Sequence, residues 1–325
     1  MDEMPPFIDI EARKRQPTLW FEDGNVILTT NLSIFRVHRG LLSMNSPVFA
    51  DMLTLPQPEA SEDILEGLPM VEISDDDDSF THLLHYFYVP RYYYRGSEAS
   101  FDKISGLLRM STKYQIDDLR EEVINHLALA YPATLEKYKE AVDPNTKFPL
   151  FPPFPGQHFA VVALARQTDA LILLPAALWR SSCESSQIID DGVVGLNGTT
   201  HRLPPKDLAS CLRIKLKAVK SYINAETSLP SLLKESDCDR IERRDAQARV
   251  FPCRGLAASS VCLHFSQDIV RDDLDVLKHM DAFDVWGALV CDACREVTGS
   301  TIHVLRTHWW NKIPEWLSLP PWKVE

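Results

Sequence analysis

The seven cysteines are the residues whose type and spacing come closest to a chemical site. Cys291-Asp292-Ala293-Cys294 has the two-residue gap of half a zinc site, in which two thiolates reach one ion from a single turn of chain. Cys253 and Cys262 are the candidates for the other half, although their eight-residue gap is wider than the usual ligand pair. The competing reading is a set of buried thiols. Trp286, Val290, Cys294 and Val297 share one helical face, on which Cys294 serves as a small core residue. The spacing favours buried thiols and no cofactor, with zinc as the alternative. Seven is also an odd and sparse count for 325 residues, which argues against a disulfide scaffold and for a reducing, intracellular compartment, cytoplasmic or nuclear.

Other groups are weaker candidates. Asp75 to Asp78 offers four consecutive carboxylates, but they cannot all point one way, and they precede an apolar helical pattern whose N-terminus they would stabilise. His303 and His308 are five apart, about 140° around a helix, which spoils a shared metal face. The glycines from Gly192 to Gly198 are in the wrong order for a dinucleotide loop and read as a surface turn. No nucleophile elbow, phosphate-binding loop or H-E-x-x-H pattern occurs, so the chain is read as a non-enzyme.

Charge narrows the partners. Residues 1–140 carry 13 Lys/Arg against 24 Asp/Glu, whereas residues 141–325 carry 21 against 22. An acidic first half is a poor nucleic-acid ligand, because phosphate binding rests on Lys and Arg. The basic stretch from Arg202 to Lys220 has Leu208, Leu212, Leu216 and Val219 at helical spacing, which predicts one amphipathic helix with a solvated basic face. The longest apolar run, Ala170 to Trp179, is far short of the roughly 20 residues a membrane helix needs. The opening Met-Asp-Glu-Met-Pro-Pro does not read as a signal or transit peptide, so neither membrane nor secretion is expected.

The elements that must position these residues fall into two regions. Residues 1–17 read as a polar tail with a short alternating piece, Phe7 to Ile10, able to add to a sheet edge. Val26 to Leu28 and Ile34 to His38 predict a hairpin. Leu41 to Leu53 predicts two short helices divided at Asn45-Ser46-Pro47, with Ser46 as N-cap and Pro47 in the first turn. Met70 to Ile73 is a third strand, and Phe80 to Tyr88 a helix. Ile104 to Tyr114 and Leu119 to Ala130 form a helix pair, with Asp118 and Glu121 placed as a capping box. Five prolines between Asp143 and Gln157 predict a linker. Beyond it the pattern is helical: Phe159 to Trp179, kinked at Pro175; the basic helix; and a closing Trp-rich segment from Phe283 to Trp316. Trp309, Trp310, Trp316 and Trp322 read as core and as a tie-down of the C-terminus.

The first region resembles the BTB (POZ) domain from about Leu19 to Ala130. The resemblance lies in Val37-His38-Arg39, Leu41-Leu42, the block Ser46 to Leu53, the aromatic helix Leu83 to Tyr88, and the pattern from Leu108 through Lys113-Tyr114 to Leu119. The second region resembles, through Leu173 to Trp179, the Cys291/Cys294 pair and the block Trp310 to Trp322, the segment that follows the BTB domain in proteins of mushroom-forming fungi.

The resemblance implies an α+β fold with a small sheet and helical hairpins, followed by a mostly α-helical region. It divides the chain into a tail (1–17), a BTB domain (18–140), a proline-rich linker (141–158) and a helical domain (159–325). It also implies protein partners: a homodimer or BTB heteromer, or a cullin scaffold of a ubiquitin ligase, with the second region selecting a target as an adaptor does. The family's charged interface pocket falls here on Asn25 and Arg39, so one of its two charges is missing, beside a structural His38. Its cullin-docking triplet corresponds to Ile64-Leu65-Glu66. The alternatives are a BTB-type transcriptional regulator and, in a different class, a cryptic enzyme or zinc-binding domain within residues 159–325.

Overall fold

The computed structural model describes residues 13–54, 64–147, 150–195, 198–234, 238–239, 253–266, 273, 275–278 and 287–322. It divides into two compact units: Met1–Leu127 with Phe148–Pro152, and Ala128–Lys147 with Pro153–Glu325. The first is a mixed sheet with helices, and the second is mostly helical.

In the first unit, β1 (Lys14–Trp20), β2 (Val26–Thr29), β3 (Ser33–Val37), β4 (Ile64–Leu65) and β5 (Leu68–Glu72) form one sheet in the order β1-β3-β2-β5-β4. The expected hairpin is β2 and β3, antiparallel with Leu28 opposite Phe35. β5 runs parallel to β2. β1 begins inside the stretch read as a tail and lies parallel to β3 at the sheet edge. An edge tolerates its polar Lys14-Arg15-Gln16 and the missing amide of Pro17. The alternating piece Phe7 to Ile10 lies outside the described residues.

The helices of this unit are α1 (Arg39–Asn45), α2 (Pro47–Thr54), α3 (Asp77–Tyr88), α4 (Phe101–Lys113) and α5 (Asp117–Leu127). Ser46 divides α1 from α2: its Oγ accepts from the Phe49 N–H at 3.1 Å and donates to the Tyr114 carbonyl at 2.6 Å. The cap thereby brings Phe49 onto Tyr114, the rings stacked at 4.2 Å, and Phe80 lies against both. The Asp75–Asp78 run separates as its geometry requires. Asp75 accepts from Lys113 and Tyr114, both at 2.6 Å; Asp76 caps α3 through the Ser79 N–H; Asp77 accepts from Thr30 and Ser33. Asp118 sits within the first turn of α5 rather than capping it, because the helix starts at Asp117, two residues before the expected Leu119.

The second unit contains α6 (Leu135–Val142), α7 (Gln157–Gln167), a 3-10 turn (Leu171–Leu173), α8 (Leu174–Ser182), α9 (Ser186–Asp191), the two-residue strands β6 (Val193–Val194) and β7 (Thr200–His201), α10 (Pro205–Leu232), α11 (Cys253–Ser266) and α12 (Asp292–Trp316). The stretch Leu135 to Glu140, read from sequence as the end of the first region, belongs here as most of α6. Its Tyr138 is fully buried, against Trp310 at 4.9 Å and bonded to Asp275 at 2.6 Å. Pro175 does not kink a long helix; it lies in the first turn of α8, where its missing N–H costs nothing. The chain breaks earlier, at Asp169, whose φ of 52° ends α7.

On α10 the expected Leu208/Leu212/Leu216/Val219 stripe is not the buried one. Leu212 and Leu216 are exposed, and Cys211, Ile214, Ala218, Tyr222, Ala225 and Leu229 face the core. Small side chains at three of these positions let α10 approach α8, where the Cys211 thiol meets the Leu178 carbonyl. An exposed leucine is ordinary, whereas a buried cysteine–alanine row is the informative pattern. Of the four closing tryptophans, Trp309 and Trp310 are core and Trp322 is the tie-down, stacking on Trp310 at 4.8 Å and donating from its Nε1 to the Trp310 carbonyl at 3.0 Å, whereas Trp316 is only half-buried. Among the described residues no helix is long and apolar enough to cross a membrane.

Candidate functional site

His38 follows β3 and precedes α1, so its backbone is extended and its ring is held from several sides. The Tyr88 hydroxyl accepts from the His38 backbone N–H at 2.8 Å and lies 3.3 Å from Nδ1, while Nε2 faces Asp23 at 3.2 Å. Phe21 stacks on Tyr88 at 4.6 Å and packs beside the His38 ring. This is a packed, hydrogen-bonded histidine joining strand to helix. Asn25 Oδ1 accepts from the Arg39 backbone N–H at 2.8 Å, and the Arg39 guanidinium donates to the Leu53 carbonyl. Asn25 and Arg39 are therefore neighbours, but through the backbone, and no ion pair joins them.

Ile64 and Glu66 sit at the opposite edge from β1. Ile64 pairs with Pro69 and Leu65 with Leu68, leaving Glu66-Gly67 as a two-residue turn with φ of 52° and 77°. Positive φ at both central residues is what a tight type I′ hairpin requires, and Gly67 adopts it without strain. The turn directs the Glu66 carboxylate onto Arg15 at 2.6 Å and Arg36 at 3.5 Å. Ile64, by contrast, is 64% exposed on the last strand of the sheet. Of the expected docking triplet, one residue is presented to solvent and one is engaged within the domain.

The cysteines behave differently from the expected set. Cys238, Cys253, Cys291 and Cys294 bring their sulfurs within 4.8 Å of one another. Cys262 is exposed and outside the group, and Cys238 takes the place assigned to it. The reason is helical geometry. Cys253 opens α11, and nine residues along a helix place Cys262 on the opposite face, about 13 Å away along the axis. Cys291 is the N-cap residue of α12 and Cys294 lies in its first turn, so the two-residue gap points both thiols the same way. The Cys291 backbone N–H donates to Cys253 Sγ at 3.3 Å, and Cys238 Sγ lies 4.0 Å from Cys291 Sγ. Arg295 secures the approach to Cys291 by donating to the carbonyls of Gly287 at 2.9 Å and Val290 at 3.4 Å.

Burial raises the Cys291 thiol, but the hydrogen bonds it accepts from Cys294, Asp239 and Cys253 outweigh it and bring it to about 7. Burial drives the Cys253 and Cys294 thiols upward. Sequence reasoning missed Cys238; the helical period through Cys253 would have eliminated Cys262 and left Cys238 as a candidate.

No curated protein matches the chain. Residues 22–129 match the family model of the BTB/POZ domain. That span holds the sheet from Glu22 onward, helices α1 to α5, and all five residues of the expected interaction surface. The first region of this chain is a BTB/POZ domain, which is generally a protein-interaction and dimerisation module.

Proposed function

We propose that the chain is a non-enzymatic, intracellular adaptor. Its BTB/POZ domain engages a cullin scaffold or a second BTB chain, and its helical second region selects the target. The observation that carries this reading is the BTB/POZ match over residues 22–129. The exposed Ile64, on the last strand of the sheet among the described residues, supports a contact there, because an exposed apolar side chain at a sheet edge suits a protein partner. The acidic first half disfavours direct nucleic-acid contact, so transcriptional regulation is the second-ranked role.

The test is recovery of a cullin scaffold by the purified full-length chain and by Ile64→Asp, with light scattering on both. Cullin capture by wild type and its loss in the variant support the adaptor reading. Capture by neither, together with a monomeric chain in light scattering, would overturn both forms of engagement. Equal capture by both proteins would remove Ile64 from the contact.

A further inference from the structure

We propose that Cys238, Cys253, Cys291 and Cys294 bind one zinc ion in a closed tetrathiolate site. Three separate stretches of chain converge here, in the spacing C-x14-C-x37-C-x2-C, whereas Cys183, Cys211 and Cys262 lie apart from it. A tetrahedral ion with Zn–S bonds of about 2.3 Å separates its sulfurs by about 3.8 Å. The Cys238–Cys291 separation of 4.0 Å is already close to that edge, and the widest pair, at 4.8 Å, needs to close by about 1 Å.

The donor set selects the ion. Four thiolates are soft ligands, unsuited to magnesium or calcium, which take oxygen. A set this tight encloses a single ion, with no space for the extra irons and sulfides of an iron–sulfur cluster. The pairs are also unlike disulfides, whose sulfurs stand about 2.05 Å apart, and all seven cysteines are free thiols.

The surroundings favour the negative charge that four thiolates bring. α11 begins at Cys253 and α12 just after Cys291, so two helix N-termini face the cluster, one of them donating its Cys291 N–H to Cys253. On binding, four Zn–S bonds form and each ligating thiol releases its proton to solvent. With four protein ligands no coordination position stays open for substrate, so the ion is structural. Its role is to fasten the residues around Cys238 to the starts of α11 and α12.

The experiment uses the full-length chain purified without chelator from zinc-supplemented cells. Elemental analysis is expected to find about one zinc per chain. Replacement by cobalt is expected to give the intense sulfur-to-metal absorption of a four-thiolate site. A strong chelator is expected to add four thiols to those that react with a thiol reagent. Cys262→Ser should keep the metal, and Cys238→Ser should weaken it at least about tenfold. Because Cys238→Ser could misfold, the cobalt spectrum of the wild-type chain tests the ligand set without any substitution. Zinc below roughly a fifth of an equivalent with no uptake of added zinc, stoichiometric iron, a Cys238–Cys291 disulfide in unreduced peptide maps, or equal metal loss in Cys262→Ser would each overturn the proposal.

Discussion

The two units of this chain use the same device over very different lengths of sequence. In the first, Asp75 receives the Tyr114 hydroxyl at 2.6 Å from 39 residues away. In the second, Asp275 receives the Tyr138 hydroxyl at the same distance from 137 residues away, and Trp179 Nε1 from 96. Trp310 Nε1 reaches the Ala133 carbonyl across 177 residues. Loop-closure entropy grows slowly with length, so the longer of the two tyrosine links costs only about 1 kcal/mol more than the shorter. The difference falls instead on the rate, because non-local contacts are made late and slow folding. The second unit joins its buried aromatic side chains through contacts that a search for local patterns does not reveal.

The core substitutions should make the largest break in this comparison. Phe49→Ala removes a fully buried ring stacked on Tyr114 and should cost the first unit about 3–5 kcal/mol, read as lost amide-exchange protection across α4 and α5. Trp310→Ala should cost the second unit a similar amount. Six of the seven tryptophans belong to that unit, so the urea midpoint of tryptophan fluorescence follows it almost alone. A fluorescence transition displaced as far by Phe49→Ala as by Trp310→Ala would show that the units do not unfold independently.

Removing the two aspartates comes next. Asp275→Ala strands the Tyr138 hydroxyl and the Trp179 N–H together and should cost about 2–4 kcal/mol in the fluorescence midpoint. Asp75→Ala should cost nearer 1–2 kcal/mol, because half-exposed Lys113 returns to water and the tyrosine hydroxyl alone is stranded.

A pH effect of smaller size distinguishes the units again. Burial, with Arg180 adding to it, holds His158 well below its ordinary 6.5, and its Nδ1 lies 2.9 Å from the Tyr131 hydroxyl. The folded state keeps this imidazole neutral while the unfolded chain takes up a proton. Stability is therefore fully present above pH 6.5 and is lost as pH falls below it toward the depressed folded value. The fluorescence midpoint should drop between pH 7.5 and 5.5 for wild type and drop less for His158→Gln; equal slopes would remove His158 as the cause. The smallest effect is expected for Glu66→Gln, which breaks two surface ion pairs and should move the first unit's stability by less than about 1 kcal/mol.

The sequence made legible whatever was encoded within a turn or two of chain. Ser46-Pro47 announced the start of α2, four aspartates announced α3, and the β2–β3 hairpin followed from β-branched runs around a polar turn. It hid what depends on distant partners. α6 carries its own helical pattern, but only Trp310 and Asp275, far along the chain, decide which unit buries Tyr138. β1 is polar because its position is at the edge, a property of the sheet rather than of the strand. On α10 large leucines drew attention to the wrong face, since close helix packing was achieved with cysteine and alanine. The thiol cluster is legible in three of its four members for the same reason: Cys291 and Cys294 are a local pair and Cys253 stands among the candidates, whereas Cys238, rather than Cys262, joins them only in three dimensions.

The brief return of Phe148–Pro152 to the first unit bears on how this protein is made. Leu150 accepts the Ala99 N–H at 2.8 Å, and Phe151 packs edge-on against Phe101 at 5.2 Å. A nascent chain that has emerged only as far as α5 still lacks both, with the N-terminal turn of α4 uncovered. The first unit therefore reaches its finished form only after α6, a helix of the other unit, has already left the ribosome. Excision of the domain just after Leu127 would discard those two contacts along with everything downstream.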